Sequence, residues 1–175
     1  MSTIKTNAIQ TVAGKPILNS TGSILQVVQT VKTDTFFTSS TSYVEVTGLS
    51  ASITPSNSNN KILVFVDIKG WAQNSQAGGF QLLRNATAVY IGDAAGSRQQ
   101  VSIGGMYPWP SSASNAFCQG LACYVDSPAT TSAVTYKLQC RTLSSGIYVN
   151  RQSQDTNDND NPRGASSITL MEISG

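Results

Sequence analysis

Between Ala133 and Arg141 the chain alternates without a break, AVTYKLQCR. Val134, Tyr136, Leu138 and Cys140 fall on one side, and Thr135, Lys137, Gln139 and Arg141 on the other. A side-chain period of two belongs to a β-strand with one face on a core and one in water. No segment of ten or more residues carries the 3.6-residue apolar period of an amphipathic helix. The chain is left with one means of building a core, which is to pair strands into sheets and stack them.

Other segments obey the same rule. Residues 61–69, KILVFVDIK, are apolar on both sides: Ile62, Val64, Val66 and Ile68 against Leu63 and Phe65. Such a strand is either central, with both faces covered by its own subunit, or turns its second face to a partner. Further strands are expected over 24–36, 43–53 with a bulge at Gly48, 115–126, 146–153 and 166–174. Residues 79–92 read as a hairpin turning at Asn85-Ala86. Eight or nine strands with turn signals every 8–15 residues predict an all-β fold, a jelly-roll-like antiparallel β-sandwich over residues 24–175. Residues 1–23 hold two strand-like pieces too short for a core of their own, and are read as an N-terminal docking arm.

Composition narrows the function. Only 11% of residues are charged, against roughly 25% in an average soluble protein. The surface must therefore be polar and uncharged, as the abundant Ser, Thr and Asn imply. Net charge is +2 from 11 basic and 9 acidic residues. No Lys/Arg cluster exists, so no nucleic-acid groove is expected. No apolar run is long enough for a membrane-spanning helix, and no membrane insertion is expected. The opening residues lack a signal-peptide h-region, so synthesis in the cytoplasm is expected. Histidine is absent, which removes Ser-His-Asp and Cys-His catalysis and His-ligated zinc. The chain is read as not an enzyme, and no cofactor is expected.

Three groups remain as candidate sites. GGMYPWPSSAS (104–114) sets Met106, Tyr107 and Trp109 between glycines and prolines, which exclude a central strand. These rings form a contact loop for a sugar or a subunit, or fold back over one end of the sandwich. Cys118, Cys123 and Cys140 do not make a metal-binding pattern and are read as small apolar packing residues, with Cys118 and Cys123 on opposite faces and Cys123 and Cys140 both able to point inward. The third group is the acidic stretch DTNDNDNPRG (155–164). Read as a calcium loop from Asp155, it supplies Asn157 and Asn159 correctly. It then puts Asp160 where the turn glycine belongs and Ser166 where the bidentate acid belongs. A looser metal site on Asp155, Asp158 and Asp160 stays open beside the alternative of a solvated loop between the last two strands.

The opening STIKTNAIQTVAGKPIL resembles the short N-terminal module of many small bacteriophage fibre and structural proteins, particularly those of cyanobacterial and marine phages. The matching residues are Ile4, Lys5, Asn7, Ile9, Gln10, Gly14 and Lys15, with Ile17 and Leu18 after the turn. GSILQVVQTVKTDTF, VDSPATTSAVTYKLQ and the terminal SITLMEISG are similar to the same proteins. The resemblance implies a virion protein without catalytic motifs, made in the host cytoplasm and joined to other phage virion proteins through its arm. Its subunits would form a homo-oligomer, most simply a trimer. Fibre or tail-associated appendages that contact the host surface, and its glycans, are the first expectation. A capsid decoration protein of the head is the second, and a carbohydrate-binding module the third.

Overall fold

The structure is a computed structural model and describes residues 21–72, 78–104 and 118–175, the side chain of Trp71 apart. The strands are β1 (Ile24–Lys32), β2 (Phe36–Thr38), β3 (Val44–Ile53), β4 (Lys61–Ala72), β5 (Gly79–Arg84), β6 (Thr87–Val89), β7 (Ile103–Gly104), β8 (Cys118–Asp126), β9 (Val134–Arg141), β10 (Ile147–Val149) and β11 (Ser166–Ile173). No helix occurs among the described residues. The strands form two antiparallel sheets packed face to face, which is the expected β-sandwich.

The larger sheet runs β1-β11-β4-β8, with β10 and β2 continuing it beside the far end of β4. The smaller runs β3-β9-β5, with β6 and β7 along the outer edge of β5. The chain crosses between the sheets from β1 to β3, to β4, to β5, and again from β7 to β8, to β9, to β11. This interleaving is the jelly-roll arrangement. It places β8 and β9, neighbours in sequence, in different sheets.

Alternation makes the core. Ile62, Val64, Val66 and Ile68 of β4 and Ile168 and Leu170 of β11 point inward from the larger sheet. Val134, Tyr136, Leu138 and Cys140 of β9, with Val46, Leu49, Phe80 and Leu82, meet them from the smaller one. The hairpin turn at Asn85-Ala86 forms between paired Arg84 and Thr87, with Asn85 at φ 54°. Gly48 takes φ +79° where the β3–β9 register shifts. That left-handed value suits glycine because it has no Cβ to clash.

Two expected strands are shorter than the sequence suggests, and one residue explains both. The run over 24–36 breaks after Lys32, and the run over 146–153 shrinks to β10. Asn150 ends β10 at φ 60° and is fully buried. Its Nδ2 donates to the carbonyls of Lys32 and Asp34 at 2.8 and 2.9 Å, and its Oδ1 accepts from Ser166 Oγ at 2.6 Å. A side chain thus takes over backbone groups that a longer ladder would have satisfied.

The cysteine reading needs one correction. Cys140 is buried and Cys118 packs half-buried against the core, but Cys123 is exposed. Odd-numbered positions of β8 face outward, and Cys123 shares that parity with Leu121 and Val125. Burial pushes the Cys140 thiol up to about 12, so it is a packing group and not a nucleophile.

Candidate functional site

The arm residues Ile4, Lys5, Asn7, Ile9, Gln10, Ile17 and Leu18 lie outside the described residues, as do Met106, Tyr107 and Trp109. Where the arm meets the sandwich is described. Gly22 N donates to Ser174 O at 2.8 Å and Ser174 N donates to Ser23 O at 2.9 Å, so the chain enters β1 beside the end of β11.

The three carboxylates of the acidic stretch are not brought together. Asp155 is taken by Arg163 at 2.6 Å, with Arg151 at 3.7 Å. Asp158 caps its own turn, accepting from Thr156 Oγ1 at 2.6 Å, from the Asp160 backbone N at 3.0 Å and from the Asn161 side chain. The bonds from Thr156 and then Asn161 hold its carboxyl below the ordinary range. Asp160 is exposed. Among the described residues no group of three or more His, Cys, Asp or Glu side chains could hold a metal ion. Calcium or EDTA is accordingly expected to leave the melting temperature unchanged in a scanning-calorimetry titration. A rise in Tm with calcium that EDTA reverses would reinstate the site.

Two buried carboxylates that the sequence does not single out prove to be structural hubs. Asp126, on the inner face at the end of β8, accepts from Tyr136 Oη at 2.6 Å and from Arg84 Nη1 at 3.0 Å, both on the opposite sheet. Burial first, then the hydrogen bond to Asp126, raises the Tyr136 hydroxyl far above the ordinary tyrosine range, so it stays protonated as a donor. Glu172 of β11 accepts from Ser56 N at 2.6 Å, Ser56 Oγ at 2.8 Å, Asn60 Nδ2 at 2.6 Å and Gln26 Nε2 at 2.6 Å. A hollow of about 400 Å³ beside it is lined by Leu25, Ser56, Asn57, Asn60 and Ser174. A second, of about 380 Å³, includes Arg98, Gln99, Val101 and Leu143 in its wall. The Asp126 carboxylate thus ties β8 to the opposite sheet, and the Glu172 carboxylate ties β11 to β1 and to the β3–β4 connection.

The surface that stands out is the outward face of the larger sheet. The register aligns Val27, Met171, Leu63 and Val125 in one row across β1, β11, β4 and β8. The next row is Gln29, Thr169, Phe65 and Cys123, and the third is Val31, Ser167, Asp67 and Leu121. Val27, Val31, Phe65, Leu121 and Val125 are exposed. The charges sit at the ends of this band. Lys61 lies beyond the first row, and Asp67 pairs with Lys69 within the subunit while also accepting from Gln119 Nε2 at 2.8 Å. Of these residues the sequence pattern points to Leu63 and Phe65 only. The signal at β8 was available in Leu121, Cys123 and Val125, which alternate with Ala122 and Tyr124 as a second strand apolar on both faces.

No protein-family model matches the chain, and no curated protein shows significant similarity to it.

Proposed function

We propose that this protein is a non-enzymatic structural subunit of a bacteriophage virion, built into a fibre or tail-associated appendage and docked through residues 1–23. The observation that carries the reading is the apolar band on the outer face of the larger sheet, with its charges confined to the ends. The largest apolar patch on a soluble domain is often its functional surface, and an assembling subunit needs such a patch for its contacts. The rigid jelly roll behind it suits a particle component, because every strand is fixed by neighbours and a core. The resemblance of residues 2–18 to phage docking modules supplies the partner class, which is other virion proteins.

The test is the protein's location. Mass spectrometry of separated heads and tails from purified particles is expected to find the chain with the tail fraction, at a few multiples of three or six copies. Hundreds of copies on the head would instead assign it as a capsid decoration protein. Absence from purified particles would remove both readings.

A further inference from the structure

The hollow beside β5 and β7 has two unlike sides. Val101 and Leu143 make one side aliphatic, and Ser97, Arg98 and Gln99 make the other polar. Its volume of about 380 Å³ lies within the range of roughly 300–1,000 Å³ that small-molecule sites occupy. Its wall is already held in shape. Residues 98–102 belong to no strand, yet nearly every one of them is fastened. Arg98 N donates to Ala95 O at 3.2 Å, and Gln99 Oε1 accepts from Arg141 Nε at 3.1 Å. Gln100 O accepts from Gln81 Nε2 at 2.6 Å, and Ser102 Oγ from Leu82 N at 2.9 Å. Val101 fits because Gly79 has no side chain: a Cβ there would collide with Val101 Cγ1. Leu143 follows Thr142, which is fully buried and bonded to Ser40 O and Ser144 O. A wall fixed before binding spares the ligand the cost of ordering it.

Two side chains in this wall are unspent. Nine basic residues lie among the described residues. Six pair with an acid, and Arg141 is held by Gln99 and by the Tyr43 ring, 5.0 Å from its centroid. Among the described residues only Lys61 and Arg98 lack such a partner, and of these two Arg98 lines the hollow. The second unspent group is Leu143, a large apolar side chain left 52% exposed. No Asp or Glu lines the hollow among the described residues. Arg141, bonded to Gln99, adds a second positive charge to the same wall. A guanidinium presents a planar fork that matches a carboxylate, and it is weakly hydrated enough to bind beside apolar surface.

We propose that this hollow binds a carboxylate that carries an aliphatic chain, with Arg98 taking the carboxylate and Val101 and Leu143 the chain. That chemistry has two sources, a free alkanoic acid and the C-terminal residue of a peptide when that residue is aliphatic. The inference goes beyond the virion reading. It stands on the smaller sheet, apart from the apolar band of the larger one, so either can fail without the other.

Two-dimensional NMR of the full-length protein with millimolar octanoate is expected to show saturable shifts at the amides of residues 97–101 and Leu143. Arg98→Gln is expected to weaken octanoate by about tenfold or more, the worth of one charge-assisted hydrogen bond, and to leave binding of octan-1-ol as it was. Leu143→Ser is expected to weaken both. Arg98 and Leu143 are exposed, so both variants keep the fold. An N-acetylated tripeptide ending in leucine, set against its C-terminal amide, separates the sources. The acid that binds tighter, with its neutral counterpart much weaker, names the source, and either result supports the site. No saturable shift with octanoate or with the peptide acid would overturn it. So would an affinity indifferent to Arg98→Gln, or shifts confined to the outer face of β1, β11, β4 and β8.

Discussion

Replacing Asp126 with alanine is expected to lower the unfolding free energy by about 3 kcal/mol or more, the range seen when one partner of a buried charged network is removed. The loss has two sources. Tyr136 Oη, on a fully buried side chain, is left without its acceptor at 2.6 Å, and an unsatisfied buried donor carries its full desolvation penalty. Arg84 also loses both of its contacts, at 3.0 and 3.1 Å. Asp126→Asn keeps the volume and one acceptor oxygen and should recover part of the loss. Urea denaturation measures it, as a shift of the midpoint at unchanged slope. A loss below about 1 kcal/mol would mean that water replaces the network readily, and the tie between the two sheets would then be of little consequence.

The second large effect is a dependence on acid. Burial pushes the Glu172 carboxyl up, but the hydrogen bonds from Asn60, Gln26 and Ser56 outweigh it and hold the group at about 2, against 4.5 ordinarily. A carboxyl lowered in the folded state stabilises the fold in full above its unfolded value, and that stability drains away as pH falls toward the folded value. At about 1.4 kcal/mol per unit, the window from about pH 4.5 to 2 holds on the order of 3 kcal/mol. Glu172→Gln is expected to be less stable than wild type at neutral pH, with the difference shrinking as pH falls through that window. Asp34 and Asp158, also lowered but fully exposed, are common to both proteins and drop out of the comparison. Stability curves that run parallel from pH 5 to 2 would show that Glu172 is not the titrating group.

Much of the fold was legible because it rests on local rules. The alternation of 133–141 became β9 with all four of its apolar residues in the core. The Asn85-Ala86 turn and the Gly48 irregularity followed from backbone conformations that those residues tolerate. What failed depended on distant partners. Asn150 cut two strands short through bonds to residues more than a hundred positions away. Cys123 was read as able to point inward with Cys140, but β8 turns it outward with Leu121 and Val125, a choice of side that a strand apolar on both faces leaves open. The acidic stretch drew notice through its composition, but Asp155 is spent on Arg163 and Asp158 on its own turn.

By itself the sequence determined the strand periodicity, the all-β class and the absence of histidine chemistry, since each follows from neighbouring side chains or from a count. Only the tertiary structure decided which second faces would be covered. A period of two says that a strand has two sides, but not what lies over either. Register across β1, β11, β4 and β8 had to be set before Val27, Met171, Leu63 and Val125 could become one row. The same long-range pairing buried Asp126 and Glu172 among donors from separate strands and from the β3–β4 connection, turning two unremarkable acids into the ties of the sandwich.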